Sequence, residues 1–199
     1  MPSQVGVAIH GCGGVSRAHF AAYSDNPHTR IVAAVDVTEE LAKRAAEEWG
    51  ADRWYTTTQE ALADPDIHAA DLCLPHDLHA PVAIAALEVG EHVFVGKPIA
   101  NTVAEADAMI DAARRADRLL VVNQTKRYQN RHRRVKELLD AGYIGTPVLV
   151  KAAYPQDIIT AWELMDERRR RTYWKHDGVV SGIGIHSINL MRWFIGEIV

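Results

Sequence analysis

The chain contains 199 residues, of which 48% are hydrophobic, and its 22 basic and 26 acidic side chains give a formal net charge of -4. This balance excludes a general electrostatic attraction to nucleic acids or anionic membranes, and no run approaches the ~20 apolar residues that span a bilayer. The first residues lack a secretory signal and the two cysteines, Cys12 and Cys73, do not form a disulfide framework, so we expect a cytoplasmic protein.

The first predicted element is a strand that leads into a glycine-rich turn. The apolar run Val5 to His10 predicts the strand, and GCGGVSRAHF after it predicts a turn that opens a helix. Gly11 permits the tight turn, Gly13 removes a side chain that would keep a pyrophosphate from the backbone, and Ser16 lets the helix pack closely. With Gly14 in the same turn, these residues are predicted to hold the pyrophosphate of a dinucleotide at the positive end of the helix.

The second predicted strand ends in an acidic residue. It runs from Ile31 to Val37 and carries Asp36, which lies 25 residues after Gly11. A carboxylate at this place accepts hydrogen bonds from both hydroxyls of an adenine ribose and repels a 2′-phosphate. Asp36 therefore predicts NAD as the cofactor rather than NADP. The alternative is an ordinary strand-to-helix turn with a surface aspartate.

Strands and helices continue to alternate up to Val122. Thr38 is predicted to cap a helix that ends at Gly50. Further strands are predicted at Ala70 to Leu74, His92 to Val95 and Leu119 to Val122, and further helices at Thr58 to Ala63, His79 to Val89 and Thr102 to Ala116. Several of these strands are too apolar to have a solvated face, which favours an α/β fold with a doubly wound parallel sheet over residues 1–122.

A second domain is predicted over residues 123–199, where the composition changes. A polar stretch precedes a helix that ends at Gly142, and a Thr/Val strand is predicted from Pro147 to Ala153. Residues 157–178 have no clean periodicity and predict a long loop or short helices, of the kind that often lines a site. Residues 178–197 return to a helical pattern.

Two residues are candidates for acid–base chemistry. Ligands of open α/β sheets bind beyond the carboxyl ends of the strands, and Lys97 follows such a strand, where it can polarise a substrate hydroxyl. On the last predicted helix, Gly182, His186, Asn189 and Trp193 share one face, and a neutral His186 is suited to take a hydroxyl proton. The simpler alternatives are a solvated lysine and a satisfied core histidine.

The sequence predicts neither a metal site nor a nucleic-acid site. His76 and His79 lie three residues apart but have no cysteine or carboxylate pair at ligand spacing, which favours roles in a turn and a helix start. The basic clusters at residues 131–134 and 168–171 lack the interleaved aromatic residues of a nucleic-acid motif, and the first is expected to form the solvated face of a helix.

Several motifs, in order and over nearly the whole chain, resemble the Gfo/Idh/MocA oxidoreductases, the glucose-fructose oxidoreductase and inositol dehydrogenase family. They are GCGGVSRAHF, LPHDLHAPVAIAALEVGEHVFVGKPIA, KRYQNRHRRVKELLDAGYIGTPV and GIGIHSINLMRWFIGE. The resemblance implies an amino-terminal Rossmann domain that binds NAD or NADP. It also implies a following α+β open-sheet domain that holds a sugar or cyclitol substrate and often forms the contact of a homo-oligomer.

The resemblance also implies roles for individual residues. Lys97 matches the family's active-site lysine, and His186 matches its catalytic base. The cofactor-binding set, on the nicotinamide side, would include Pro75, His76, His79 and Lys97, and the substrate side would include Lys126, Arg127, Tyr128 and Asn189.

The chain departs from the family pattern at four points. Gly96 stands where the family usually has Glu, and Gly182 and Asn189 stand where it commonly has Asp. Without a neighbouring carboxylate, His186 is expected to be a weaker base. The motifs also stop where relatives continue for on the order of a hundred residues, which suggests a fragment. Two alternatives to a polyol oxidoreductase therefore stay open: a redox-silent NAD-binding scaffold, and a glycosidase that uses retained NAD.

Overall fold

The computed structural model describes residues 4–153, 155, 163 and 180–197. The chain divides into two compact units, residues 1–122 and residues 123–199. The segment at residues 157–178, predicted as a loop or short helices, lies outside the described residues apart from Glu163.

The first unit is built on a six-stranded parallel sheet with strand order β3-β2-β1-β4-β5-β6. The strands are β1 (Val5–His10), β2 (Thr29–Val35), β3 (Arg53–Tyr55), β4 (Ala69–Leu72), β5 (His92–Val95) and β6 (Leu120–Val122). The helices between them are α1 (Ser16–Ser24), α2 (Glu39–Trp49), α3 (Thr58–Leu62), α4 (His79–Glu88) and α5 (Val103–Ala116). The order reverses between β1 and β4, and this confirms the predicted doubly wound fold.

Local sequence signals explain the start of α5 and the end of α2. Thr102 caps α5 and forms a reciprocal capping box with Glu105, which satisfies two backbone groups at the helix start. Thr38 precedes α2, although its side chain makes no capping hydrogen bond, and the helix ends at Gly50 with φ 68°. Only glycine adopts that left-handed backbone without strain, so the predicted end of this helix is confirmed.

Two strands differ from their predicted form. The edge strand β3 was not predicted, because Arg53 and Trp54 are exposed and the three residues pair with β2 through the backbone alone. The predicted strand from Pro147 to Ala153 is wrong: these residues form no strand in the structure, and Val148 is 94% exposed. Strand propensity is insufficient without a neighbouring ladder, and the described part of the second unit offers no partner strand.

The second unit contains a short 3₁₀ turn and two described helices. The 3₁₀ turn Thr125–Tyr128 leads into α6 (Asn130–Asp140), and the π-helical turn Val180–Gly184 leads into α7 (Ile185–Ile195). The predicted helix is therefore α-helical only from Ile185. His186, Asn189 and Trp193 lie on one α-helix, as predicted, whereas Gly182 lies in the π turn that precedes it. Among the described residues, no helix is both long and apolar enough to cross a membrane.

Candidate dinucleotide-binding and catalytic site

The glycine-rich turn begins directly where β1 ends. Gly11 has φ +92°, and a Cβ added there would lie 2.4 Å from the backbone oxygen of Cys73. Its backbone N–H donates a 2.7 Å hydrogen bond to the oxygen of Val35 in the neighbouring strand. Both the backbone conformation and the close approach of Cys73, directly after β4, therefore require glycine at this position.

Gly13 lies in different surroundings from Gly11. A Cβ added at Gly13 would have no neighbouring atom within 4 Å, and Gly13 and Gly14 are both exposed. The Ser16 side chain is buried, and its hydroxyl donates a 2.7 Å hydrogen bond to the Gly13 oxygen, which fixes the turn against the start of α1. The backbone at Gly13 is thus open for the close approach of a phosphate, and these residues fit a dinucleotide pyrophosphate.

Asp36 is held beside this turn at the end of β2. Its Oδ2 accepts a 2.9 Å hydrogen bond from the Cys12 backbone N–H, and its Oδ1 accepts a 2.8 Å bond from the Thr38 backbone N–H. Each carboxylate oxygen can accept a further bond, so these contacts orient the group without exhausting it. The carboxylate that the sequence assigns to the ribose is therefore preorganised by backbone of the glycine turn itself.

The segment after β4 is tied to the segment after β5 by His79. His76 begins a 3₁₀ turn and His79 begins α4, so their predicted places in a turn and at a helix start are confirmed. The buried His79 ring lies with Nδ1 2.9 Å from the Pro98 oxygen and Nε2 3.1 Å from the Leu74 oxygen. The imidazole therefore bridges the two strand exits, next to the half-buried Pro75 and His76.

Lys97 lies at the exit of β5, half-buried, and the Lys97–Pro98 peptide bond is cis. A Cβ added at the preceding Gly96 would lie 3.6 Å from Cε1 of His79 and 3.8 Å from the Leu72 oxygen. These are ordinary van der Waals distances. A Cβ at position 96 would therefore fit without crowding.

The second unit brings two predicted substrate residues together. Nε of Arg127 donates a 2.6 Å hydrogen bond to Oδ1 of Asn189, and the guanidinium lies 5.8 Å from the ring centre of Trp193. His132 fixes the 3₁₀ turn from α6, with Nδ1 2.8 Å from the Lys126 oxygen.

The other predicted residues of this unit differ in exposure. Tyr128 is 70% exposed, whereas His186 is half-buried on α7. Lys97 belongs to the first unit and His186 to the second.

A buried polar cluster in the first unit was not predicted. Nδ1 of His19 lies 2.7 Å from Oδ2 of the fully buried Asp71, and the Cys73 thiol lies 3.9 Å from Oδ1. The three groups have ligand atoms within 4.8 Å of one another, close enough to share a metal ion. The hydrogen bond to Asp71 raises the pKa of His19, and burial raises the pKa of Cys73. An aspartate inside the apolar run DLCL is the sequence signal that indicates such a cluster.

Both parts of the chain match protein-family models. Residues 5–124 match the model described as an oxidoreductase family with an NAD-binding Rossmann fold, and residues 132–199 match the GFO/IDH/MocA C-terminal domain. The chain is 30% identical over 201 residues to levoglucosan dehydrogenase from Pseudarthrobacter phenanthrenivorans. The aligned region covers 96% of this chain and 51% of the relative.

Solved structures show the same likeness. An oxidoreductase domain protein from Kribbella flavida matches with a TM-score of 0.87 and 32% identity, over 98% of this chain and 54% of that one. Levoglucosan dehydrogenase in complex with NADH and L-sorbose matches with a TM-score of 0.80 and 27% identity, over 98% of this chain and 54% of that one. The chain thus spans about half the length of the curated relatives it matches.

Proposed function

Because the chain belongs to the GFO/IDH/MocA oxidoreductase family, we propose that it acts as an NAD-dependent oxidoreductase on a hydroxyl-bearing carbon of a sugar, cyclitol or similar polyol. The observation that carries this proposal is the glycine turn: the site of a Cβ at Gly13 is open, and the Asp36 carboxylate is anchored beside it. Levoglucosan dehydrogenase, one of the relatives, is named for a sugar-derived substrate, which supports this substrate class.

The turn and β2 supply the cofactor contacts in this proposal. Backbone N–H groups at the start of α1, among them those of Gly13, Gly14 and Ser16, hold the pyrophosphate, while Gly11 shapes the turn with its own N–H bonded to Val35. Asp36 accepts the ribose hydroxyls and disfavours NADP by repulsion of its 2′-phosphate. When bound, NAD supplies the hydride acceptor for the oxidation.

The exits of β4 and β5 supply the reacting side. Pro75, His76 and His79 line the nicotinamide side, and His79 positions Lys97 by holding the Pro98 carbonyl. The Lys97 ammonium donates a hydrogen bond to the substrate oxygen and stabilises the negative charge that develops there. His186 takes the hydroxyl proton, and in the opposite direction it returns that proton.

The second unit supplies the substrate contacts. Lys126, Arg127, Tyr128 and Asn189 are the residues we assign to the substrate, and Arg127 and Asn189 are already in contact. We also assign the contacts of a homo-oligomer to the second unit. The proposed substrate is a small molecule, and we propose neither a nucleic acid nor a membrane as a partner.

A redox-silent NAD-binding scaffold is the second candidate, and Gly96 and Gly182 favour it because neither provides a carboxylate for the acid–base groups. The test is to incubate the protein with NAD and a panel of sugars and cyclitols and to follow the absorbance of reduced cofactor. We expect reduction by wild type, little or none by Lys97→Met, and unchanged reduction by Lys43→Met, which removes an exposed lysine paired with Glu39.

Each other outcome assigns a different function. Tight NAD binding without reduction by any substrate would contradict the oxidoreductase proposal and favour the scaffold. Cleavage of a glycoside without net cofactor reduction would favour a glycosidase with retained NAD.

A further inference from the structure

Arg127 is a half-buried cation in the described part of the second unit whose side-chain partners are neutral. Its Nε donates to the Asn189 amide oxygen and its guanidinium faces the Trp193 ring. Nearby cations are paired differently: Arg134 lies 3.0 Å from Glu137, and Lys136 pairs with Asp140. No carboxylate among the described residues pairs with Arg127, and its half-buried position limits how far solvent can compensate the charge.

Arg127 and Asn189 together present mainly hydrogen-bond donors. A guanidinium has five N–H donors and no acceptor, and only the Nε–H is used by Asn189. Because the amide oxygen of Asn189 faces Arg127, the amide NH₂ group is directed elsewhere as a further donor. A sugar hydroxyl both donates and accepts, whereas a carboxylate only accepts and matches the planar guanidinium in a bidentate pair.

The position of this donor pair links it to the reacting group. Asn189 lies three residues after His186 on α7, which places the two side chains on one face within a single turn of helix. A group held by Arg127 and Asn189 is therefore a near neighbour of the hydroxyl whose proton His186 is proposed to take.

The distribution of charged residues along the chain also favours an anionic ligand for the second unit. Residues 123–199 carry 13 Lys and Arg against 8 Asp and Glu, whereas residues 1–122 carry 9 against 18. The second unit is thus net positive in a chain that is net negative. Such a field attracts anions, and it does not discriminate among neutral polyols.

We propose that Arg127 and Asn189 form a carboxylate-recognition element, and that the substrate is a polyhydroxy acid, such as an aldonate or uronate, rather than a neutral polyol. This inference rests on the proposed function for the identity of the reacting hydroxyl. The binding preference itself is a property of the second unit and is testable separately.

The test compares matched acid and neutral pairs: glucuronate with glucose, galacturonate with galactose, and gluconate with glucitol. Binding is measured by calorimetry with and without NADH, and NAD reduction is measured as kcat/KM. For at least one pair we expect the acid to be preferred by about 10- to 100-fold, the range for hydrogen bonds to a charged group.

Two variants and one control connect this preference to the proposed residues. Asn189→Asp has nearly the same shape but places a carboxylate against Arg127, and Arg127→Met removes the cation; both are expected to lower the acid-to-neutral ratio about tenfold or more. Arg131→Met removes one positive charge from the same unit at a residue bonded to Gln129, and is expected to leave the ratio unchanged.

The outcomes separate this inference from the proposed function. Reduction of NAD with neutral polyols only, at an equal rate in Asn189→Asp, would overturn the inference and leave the oxidoreductase proposal intact. Acid binding that is lost in Asn189→Asp, without any NAD reduction, would support the inference and contradict the oxidoreductase. Equal binding of acid and neutral partners, or a preference for glucose 6-phosphate over every carboxylate, would overturn it.

Discussion

Alanine at Gly11 and alanine at Gly13 are expected to have opposite consequences, although the two residues lie in one turn. At Gly11, the left-handed φ of +92° costs an alanine about 1–2 kcal/mol, and the Cβ would meet the Cys73 oxygen at 2.4 Å. Overpacking of this kind costs about 1–3 kcal/mol more. Gly11→Ala is therefore expected to lower the free energy of unfolding by roughly 2–5 kcal/mol.

Gly13→Ala is expected to leave the fold intact. The added methyl group meets no atom within 4 Å, and alanine at a compatible backbone position restricts the unfolded chain, so stability stays equal or rises by about 0.4–1 kcal/mol. The same methyl group occupies the space through which a pyrophosphate would reach the backbone. Loss of one hydrogen bond to a charged phosphate, about 1.5–3 kcal/mol, lowers the affinity for NADH by about 10- to 100-fold.

The assay pairs urea unfolding with a fluorescence titration of NADH for each variant. Gly50→Ala is the control for backbone strain, because Gly50 has φ +68° but no neighbouring atom within 4 Å, so only the cost of about 1–2 kcal/mol applies. An unchanged NADH affinity in Gly13→Ala would refute the assignment of the pyrophosphate to this turn. Equal stability of Gly11→Ala and Gly50→Ala would refute the steric argument.

Three further predictions concern buried or anchored charges. Asp36→Asn is expected to weaken NAD binding about tenfold in a paired titration of NAD and NADP. The difference between the NAD and NADP affinities should also become smaller, because the charge that repels the 2′-phosphate is lost. Comparable NAD and NADP affinities in the wild type would show that Asp36 does not touch the ribose. Burial, with a smaller effect of the Asp64 charge, raises the pKa of Glu91 to about 7. Because this folded pKa exceeds the ordinary 4.5, the free energy of unfolding falls as the pH rises from 4.5 through about 7. In urea unfolding, Glu91→Gln should therefore be more stable than the wild type by about 2–3 kcal/mol at pH 8. At pH 4 the two proteins should be equally stable. The hydrogen bond to Asp71 raises the pKa of His19 above the ordinary 6.5. The contribution of protonated His19 to the stability of the fold is therefore complete below pH 6.5 and is lost as the pH rises through the pKa in the folded protein. His19→Gln should remove this pH dependence of stability, and a pH profile identical to that of the wild type would contradict the prediction.

The features that could be predicted from sequence are those that local chemistry determines. The strands Val5–His10 and His92–Val95 have the predicted bounds, since each is a largely apolar run that a glycine directly follows. Gly11 and Asp36 could be placed because a strand order that reverses always opens a crevice at the carboxyl ends of the strands. Lys97 follows from the same rule.

The features that could not be predicted depend on contacts between distant residues. His19 and Asp71 are 52 residues apart, and Arg127 and Asn189 are 62 apart, so no local pattern indicates that they meet. The strand predicted from Pro147 to Ala153 failed for the complementary reason. Its Thr/Val composition suits a strand, but a strand forms only where a partner completes its hydrogen bonds.

Compared with the family pattern, Gly96, Gly182 and Asn189 each remove a negative charge. Each stands where the family pattern leads us to expect an acid, and at Gly96 an added Cβ would meet its neighbours only at van der Waals distances. With Asn189 in place of an acid, Arg127 has no carboxylate partner among the described residues. A cation without a carboxylate partner favours an anionic substrate over a neutral polyol. The face of α7 that carries His186 has the neutral Asn189 where the family pattern has an acid. A substrate whose carboxylate binds Arg127 would therefore supply the negative charge that this position lacks.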